Sequence, residues 1–151
     1  MNRLALILAL AVAGCGREPA EPDLKLSNGW ARETVSGQNA AAAYLTIVNN
    51  GAGSDRLIGV SSDAATQVML HSTSMDDGVM RMRHIADGLD IPSKAAVELS
   101  PGQTHIMLSD LNRPLKRGES FSIRLDFERS PDQDFLVKVL DPASAGLQGA
   151  R

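Results

Sequence analysis

Turn-forming residues cut this chain into short pieces. From residue 24 onward the interruptions are Asn49-Asn50-Gly51, Asp77-Gly78, Asp87-Gly88, Pro101-Gly102, Arg117-Gly118 and Ser130-Pro131. The clearest piece between them, 121–128, alternates without a fault. Phe121, Ile123, Leu125 and Phe127 fall on one face, and Ser122, Arg124, Asp126 and Glu128 on the other. That period of two predicts a half-buried strand. Segments 44–48, 56–60, 67–71, 79–84, 95–99, 104–108 and 135–140 are predicted as strands too. Ala40 to Ala43 is compatible with a helical turn, but the β-branched run Thr46-Ile47-Val48 favours strand. No amphipathic helix of useful length follows the first residues. Short strands at regular spacing predict an all-β fold, an antiparallel Greek-key β-sandwich.

The chain has 151 residues, enough for one domain, placed at 24–140. With one Trp, one Tyr and three Phe, its core must be built from aliphatic side chains. The net charge of −3 and the absence of a long basic run exclude nucleic acid as an expected partner. Residues 1–14 have the layout of a signal peptide: Asn2-Arg3, then an apolar run too short to span a bilayer as a stable helix. The run ends in Val12-Ala13-Gly14-Cys15, which resembles a bacterial lipobox, with Cys15 as the lipidated residue. Acyl chains on Cys15 would anchor the mature protein to a membrane of the cell envelope, facing the periplasm. Gly16 after the Cys, rather than Asp, leans by resemblance to enteric sorting rules towards the outer membrane. Residues 15–23, with Pro19 and Pro22, are predicted as a flexible tether, and 141–151 as a disordered tail. The protein is expected to be a monomer.

All three histidines, and every methionine except Met1, lie between Met69 and Met107. In 104–108, His105 and Met107 share a strand face while Ile106 and Leu108 take the other. In 67–71, Val68 and Leu70 form the apolar pair and Met69 and His71 face away. In 79–84, Met80, Met82 and His84 share one side and Arg81 and Arg83 the other. Three strands thus each present Met and His on one face. Thioether and imidazole are ligands for soft or borderline metals, Cu(I) above all. Methionine is also a common core filler, and Met69 and Met80 taken alone read as scaffold.

The spacing His71, Met82, His105-x-Met107 resembles the copper motif of the periplasmic PCuAC chaperones. Asn28-Gly29-Trp30-Ala31-Arg32, Ala42-Ala43-Tyr44-Leu45-Thr46, the segment from Asp76 to Met82, Pro101-Gly102, and Leu111 to Gly118 with its Pro114-Leu115-Lys116 are similar to that family too. The resemblance spans residues 27–128. It implies a cupredoxin-like sandwich binding one Cu(I) through His71, Met82, His105 and Met107. It also implies delivery of copper to an acceptor such as the dinuclear copper site of a cytochrome c oxidase subunit, or a broader part in copper handling. Position 84 is often Pro in such sequences. Here it is His84, on the same strand face as Met82: an extra or alternate ligand, or a surface residue, the reading favoured because a strand residue two beyond Met82 lies about 6–7 Å further along. The tail has neither His nor Met, so a second copper site there is not expected. Met75, expected in a loop after His71, could reach an open coordination position during hand-over.

Neutral thioether and imidazole ligands suit a carrier, because thiolates would oxidise in an oxidising compartment. A blue-copper electron carrier needs a Cys thiolate, and lipidation uses the only Cys. The alternative is a metal-independent β-sandwich binding module of the envelope. No nucleophile–base constellation, phosphate-cradling loop or carboxylate pair points to an enzyme.

Overall fold

The computed structural model describes residues 20–141 and residue 144. The signal segment 1–14, Cys15 and nearly all of the tail lie outside the described residues. The strands are β1 (Leu24–Arg32), β2 (Ala40–Asn49), β3 (Asp55–Ser62), β4 (Ala65–Asp76), β5 (Val79–His84), β6 (Leu89–Ile91), β7 (Ala95–Leu99), β8 (His105–Leu111), β9 (Ser120–Phe127) and β10 (Gln133–Leu140). Their order is β5-β4-β8-β2-β1-β10-β9-β3-β6, with β7 on β2 beyond β8. Inner faces from both halves of this sheet meet in one core. Its fully buried members are aliphatic, among them Leu45, Ile47, Ile106, Leu108, Ile123 and Val137.

Every pairing is antiparallel except β1 with β10, which is parallel. No hairpin joins these two strands from opposite ends of the domain, so no local signal announces their sense. The strands predicted by alternation are all present, and 67–71 lengthens to a strand that ends at Asp76. Met75, expected in a loop, therefore lies on β4, opposite Met80 of β5. The cause is the turn. Asp77 and Gly78 both have positive φ, 51° and 78°, as a two-residue type I′ hairpin requires. Such a tight turn lets pairing begin at once, with Asp76 opposite Val79.

β1 and β6 were not among the predicted strands. β6 is three residues long, and β1 breaks its own alternation. Its pairing with β2 slips between Ser27 and Trp30 at a bulge containing Asn28, whose φ is 54°. The bulge re-aims Trp30 onto Tyr44. Gly29 is needed there, because a Cβ would come 2.4 Å from the Phe135 ring.

Residues 20–23, assigned by sequence to the tether, are tied to the fold. Glu21 and Asp23 carbonyls accept from the Gly53 and Asn50 amides, at 3.0 and 2.8 Å. Asn49 Oδ1 accepts from the Asp23 and Gly51 amides. No local signal announces these partners, since they come from a turn 26 residues away in the chain.

Buried Asp55 organises the same end of the core, where the Arg129 guanidinium donates to the Ser54 and Ala20 carbonyls. Oδ1 accepts from the amides of Arg56 and Arg129, and Oδ2 from that of Ser130, all at 2.8–2.9 Å. Burial alone would raise its pKa, but these bonds outweigh burial and hold it below the ordinary 3.8. Its contribution to stability is full above that ordinary value and is lost as pH falls through the lowered one. Asp55→Asn puts an NH₂ group against an amide donor. We expect it to cost about 1–3 kcal/mol at neutral pH, read as a lower urea midpoint at unchanged m-value.

Candidate metal centre

The registers of β5, β4, β8, β2 and β1 bring the Met and His residues onto one outer face. His84 of β5 lies opposite His71 of β4, and His71 opposite His105 of β8. Tyr44 stands beside His105, with ring centroids 6.4 Å apart, and Trp30 beside Tyr44 at 4.5 Å. The result is a row of five rings across five strands. Its two neighbouring imidazole pairs, His84–His71 and His71–His105, have centroids 5.9 and 6.0 Å apart. Methionines flank the row. Met107 lies opposite Met69 on one side; Met82 lies opposite Thr73 on the other.

An open depression of about 590 Å³ adjoins this row, lined by Tyr44, Thr73, Met80, Met82, His105 and Met107 among others. The Ala40–Ala43 part of β2 makes room for it, since Ala42 is the cross-strand neighbour of Met107. Among the four residues implied by the resemblance, Met82, His105 and Met107 share this depression, and His71 joins through its ring contact with His105. Met80, read from sequence as scaffold, also lines the depression. Tyr44 and Thr73 were not singled out as site residues. Cross-strand register, once fixed, is the signal that locates them.

His105 is held in a defined state. The ring is buried, and Nδ1 lies 3.1 Å from the Gln103 carbonyl oxygen. A carbonyl only accepts, so Nδ1 carries the proton and Nε2 keeps its lone pair free for a metal. The same carbonyl accepts from the Thr73 amide at 3.2 Å, tying the loop before β8 to β4. That loop turns at Pro101-Gly102, with Gly102 at φ 77° and the Gln103 amide donating to the Ser100 carbonyl. Pro followed by a positive-φ Gly is the chemistry of a type II turn.

His71 differs. Its Nδ1 is buried and has no hydrogen-bond partner, alone in this among the buried side-chain nitrogens and oxygens of the described residues. An imidazole nitrogen left so is costly unless something outside the chain satisfies it, and a metal cation would. Burial first, then the neighbouring His105 and His84, push the His71 pKa below its ordinary 6.5. Folded His71 thus stays neutral, as a ligand must, to lower pH than a free imidazole. Above 6.5 it is neutral both folded and unfolded. As pH falls through that value the unfolded chain takes up a proton that the fold resists, so stability falls. We expect the melting temperature of copper-free protein to drop between about pH 7 and 5, around the ordinary His pKa, and His71→Asn to flatten that slope.

Residues 24–139 match the family described as "Putative lipoprotein LpqE-like". The chain belongs to this LpqE-like family. A relative, "Putative lipoprotein Lxx21020" of Leifsonia xyli subsp. xyli, is 32% identical over 122 residues, covering 81% of this chain and 72% of its own. The LpqE-like chain is also similar to solved structures. The copper-bound PCuAC domain from PmoF2 is 26% identical with a TM-score of 0.65, covering 79% of this chain and 93% of that domain. The Cu(I) form of DR1885 from Deinococcus radiodurans is 27% identical with a TM-score of 0.61, covering 87% of each chain. The resemblance to PCuAC proteins carried by the blocks around His71, Met82 and His105-x-Met107 is borne out, as is the cupredoxin-like β-sandwich it implied.

Proposed function

We propose that this LpqE-like chain is a copper chaperone that carries one Cu(I) on His71, Met82, His105 and Met107. The observation that carries the reading is the unpartnered, buried Nδ1 of His71 beside a tautomer-fixed His105, on a face otherwise lined with thioethers. Both neutral imidazoles and both thioethers suit Cu(I), and none of them cancels its charge. Such a set binds a soft cation yet releases it to a better ligand set. Copper-bound PCuAC neighbours support the same reading. In this proposal Cys15 carries the lipid anchor, the domain faces the periplasm, and the acceptor is the dinuclear copper site of a cytochrome c oxidase subunit.

The test is an anaerobic Cu(I) titration of the domain against a coloured chelator, with each of the four ligands replaced in turn. One Cu(I) per chain is expected, with affinity falling in every variant. The single Trp adds an internal readout, because Trp30 packs against Tyr44 beside His105. Copper binding should change its fluorescence. Wild-type protein that leaves all Cu(I) on the chelator would end this reading.

A further inference from the structure

His84 is the residue of the metal-facing row that the copper motif leaves unused. We infer that it completes a three-imidazole site, His84–His71–His105, that takes Cu(II) on the same face that carries Cu(I). The inference rests on the proposed copper site and deepens it. Distance measured along β5 sets His84 apart from Met82, but distance across the sheet does not set it apart from His71. The two are directly opposed, and their ring centroids are 5.9 Å apart, matching the 6.0 Å of His71 and His105. A metal about 2.0 Å from one nitrogen of each of two imidazoles holds their ring centroids within roughly 6 Å. Each neighbouring pair meets that limit by itself, but a single metal must also bring the outer pair, His84 and His105 on either side of β4, within it.

Among the described residues no three His, Cys, Asp or Glu side chains already surround one point, so one ring must move. His84 is free to do so: it is exposed, on the terminal strand of the sheet. Buried His105 stays fixed by its bond to Gln103. Both oxidation states share His71 and His105, and the remaining donors separate them. Towards the hairpin turn the face offers thioethers, Met82 and the opposed pair Met75 and Met80; at the row it offers imidazoles. Cu(II) favours nitrogen donors and Cu(I) accepts sulfur. A third imidazole therefore strengthens Cu(II) binding and leaves Cu(I) binding nearly untouched.

The experiment titrates wild type and His84→Ala with copper(II) sulfate in air and with Cu(I) anaerobically, and records electron paramagnetic resonance of the Cu(II) samples. Wild type should bind one Cu(II) with coupling to three imidazole nitrogens. In His84→Ala the coupling should fall to two and Cu(II) affinity by about 10-fold or more, while Cu(I) affinity changes less than about 3-fold. Unchanged melting confirms the variant's fold. Identical Cu(II) affinity and coupling in the two proteins would overturn the inference, as would wild type that binds Cu(I) but no Cu(II). Failure to bind Cu(I) at all would instead sink the chaperone reading beneath it.

Discussion

His105→Ala should weaken Cu(I) binding by at least about 100-fold, the largest loss among the four ligand replacements. Loss of a partner that merely orients a ligand costs 10–100-fold in metal affinity, and loss of a preorganised ligand should cost no less. His105 is the most preorganised of the four. It is buried, its tautomer is set by Gln103, and it stands between His71 and Tyr44 in the ring row. Met82 is the opposite case, about half exposed on the terminal strand. Its side chain gives up more freedom on binding, so Met82→Ala should cost nearer 10-fold. The check is the anaerobic competition titration, with melting curves to show that each variant folds. If His105→Ala binds within about 3-fold of wild type, against the loss expected for a ligand, the imidazole is not a ligand. The depression beside it would then need another occupant.

Local chemistry made most of this fold legible. Alternation in 121–128 located β9, and the Met–His face of β4, β5 and β8 followed from the same rule. What stayed hidden depends on contacts between distant segments. β1 defies alternation because of a bulge that matters only where Trp30 meets Tyr44. Asp55 reads as an ordinary polar residue until the amides of Arg129 and Ser130, some 75 residues on, close over it. The site was legible in its donors and not in its rows. Spacing along one strand placed His84 beyond reach of Met82. Yet Asp77-Gly78 was already recognisable as a turn. Taken as a two-residue hairpin, it opposes His84 to His71 and Met82 to Thr73 without further information.

That hairpin register supplies a prediction of comparable size. Deleting Val79 should lower Cu(I) affinity by at least about 100-fold while leaving the domain folded. Val79 is exposed, so its side chain contributes little to the core. Its place in the ladder matters more. The Asp77-Gly78 turn has no residue to spare, so Met80 must move up opposite Asp76. A one-residue slip turns every side chain of a strand to the other face. Met80 and Met82 would then leave the depression, and His84 the ring row. Arg81 and Arg83, which now face away and pair with Asp76 at 3.5 Å, would take their place. The site would lose Met82 and gain two guanidinium groups that repel a cation. The deletion should therefore cost more than Met82→Ala alone, and lysine in place of both arginines should not rescue it. Melting should change little, because β5 has no buried residue. Affinity equal to wild type would mean that β5 contributes no ligand, leaving His71, His105 and Met107 to hold the metal between β4 and β8.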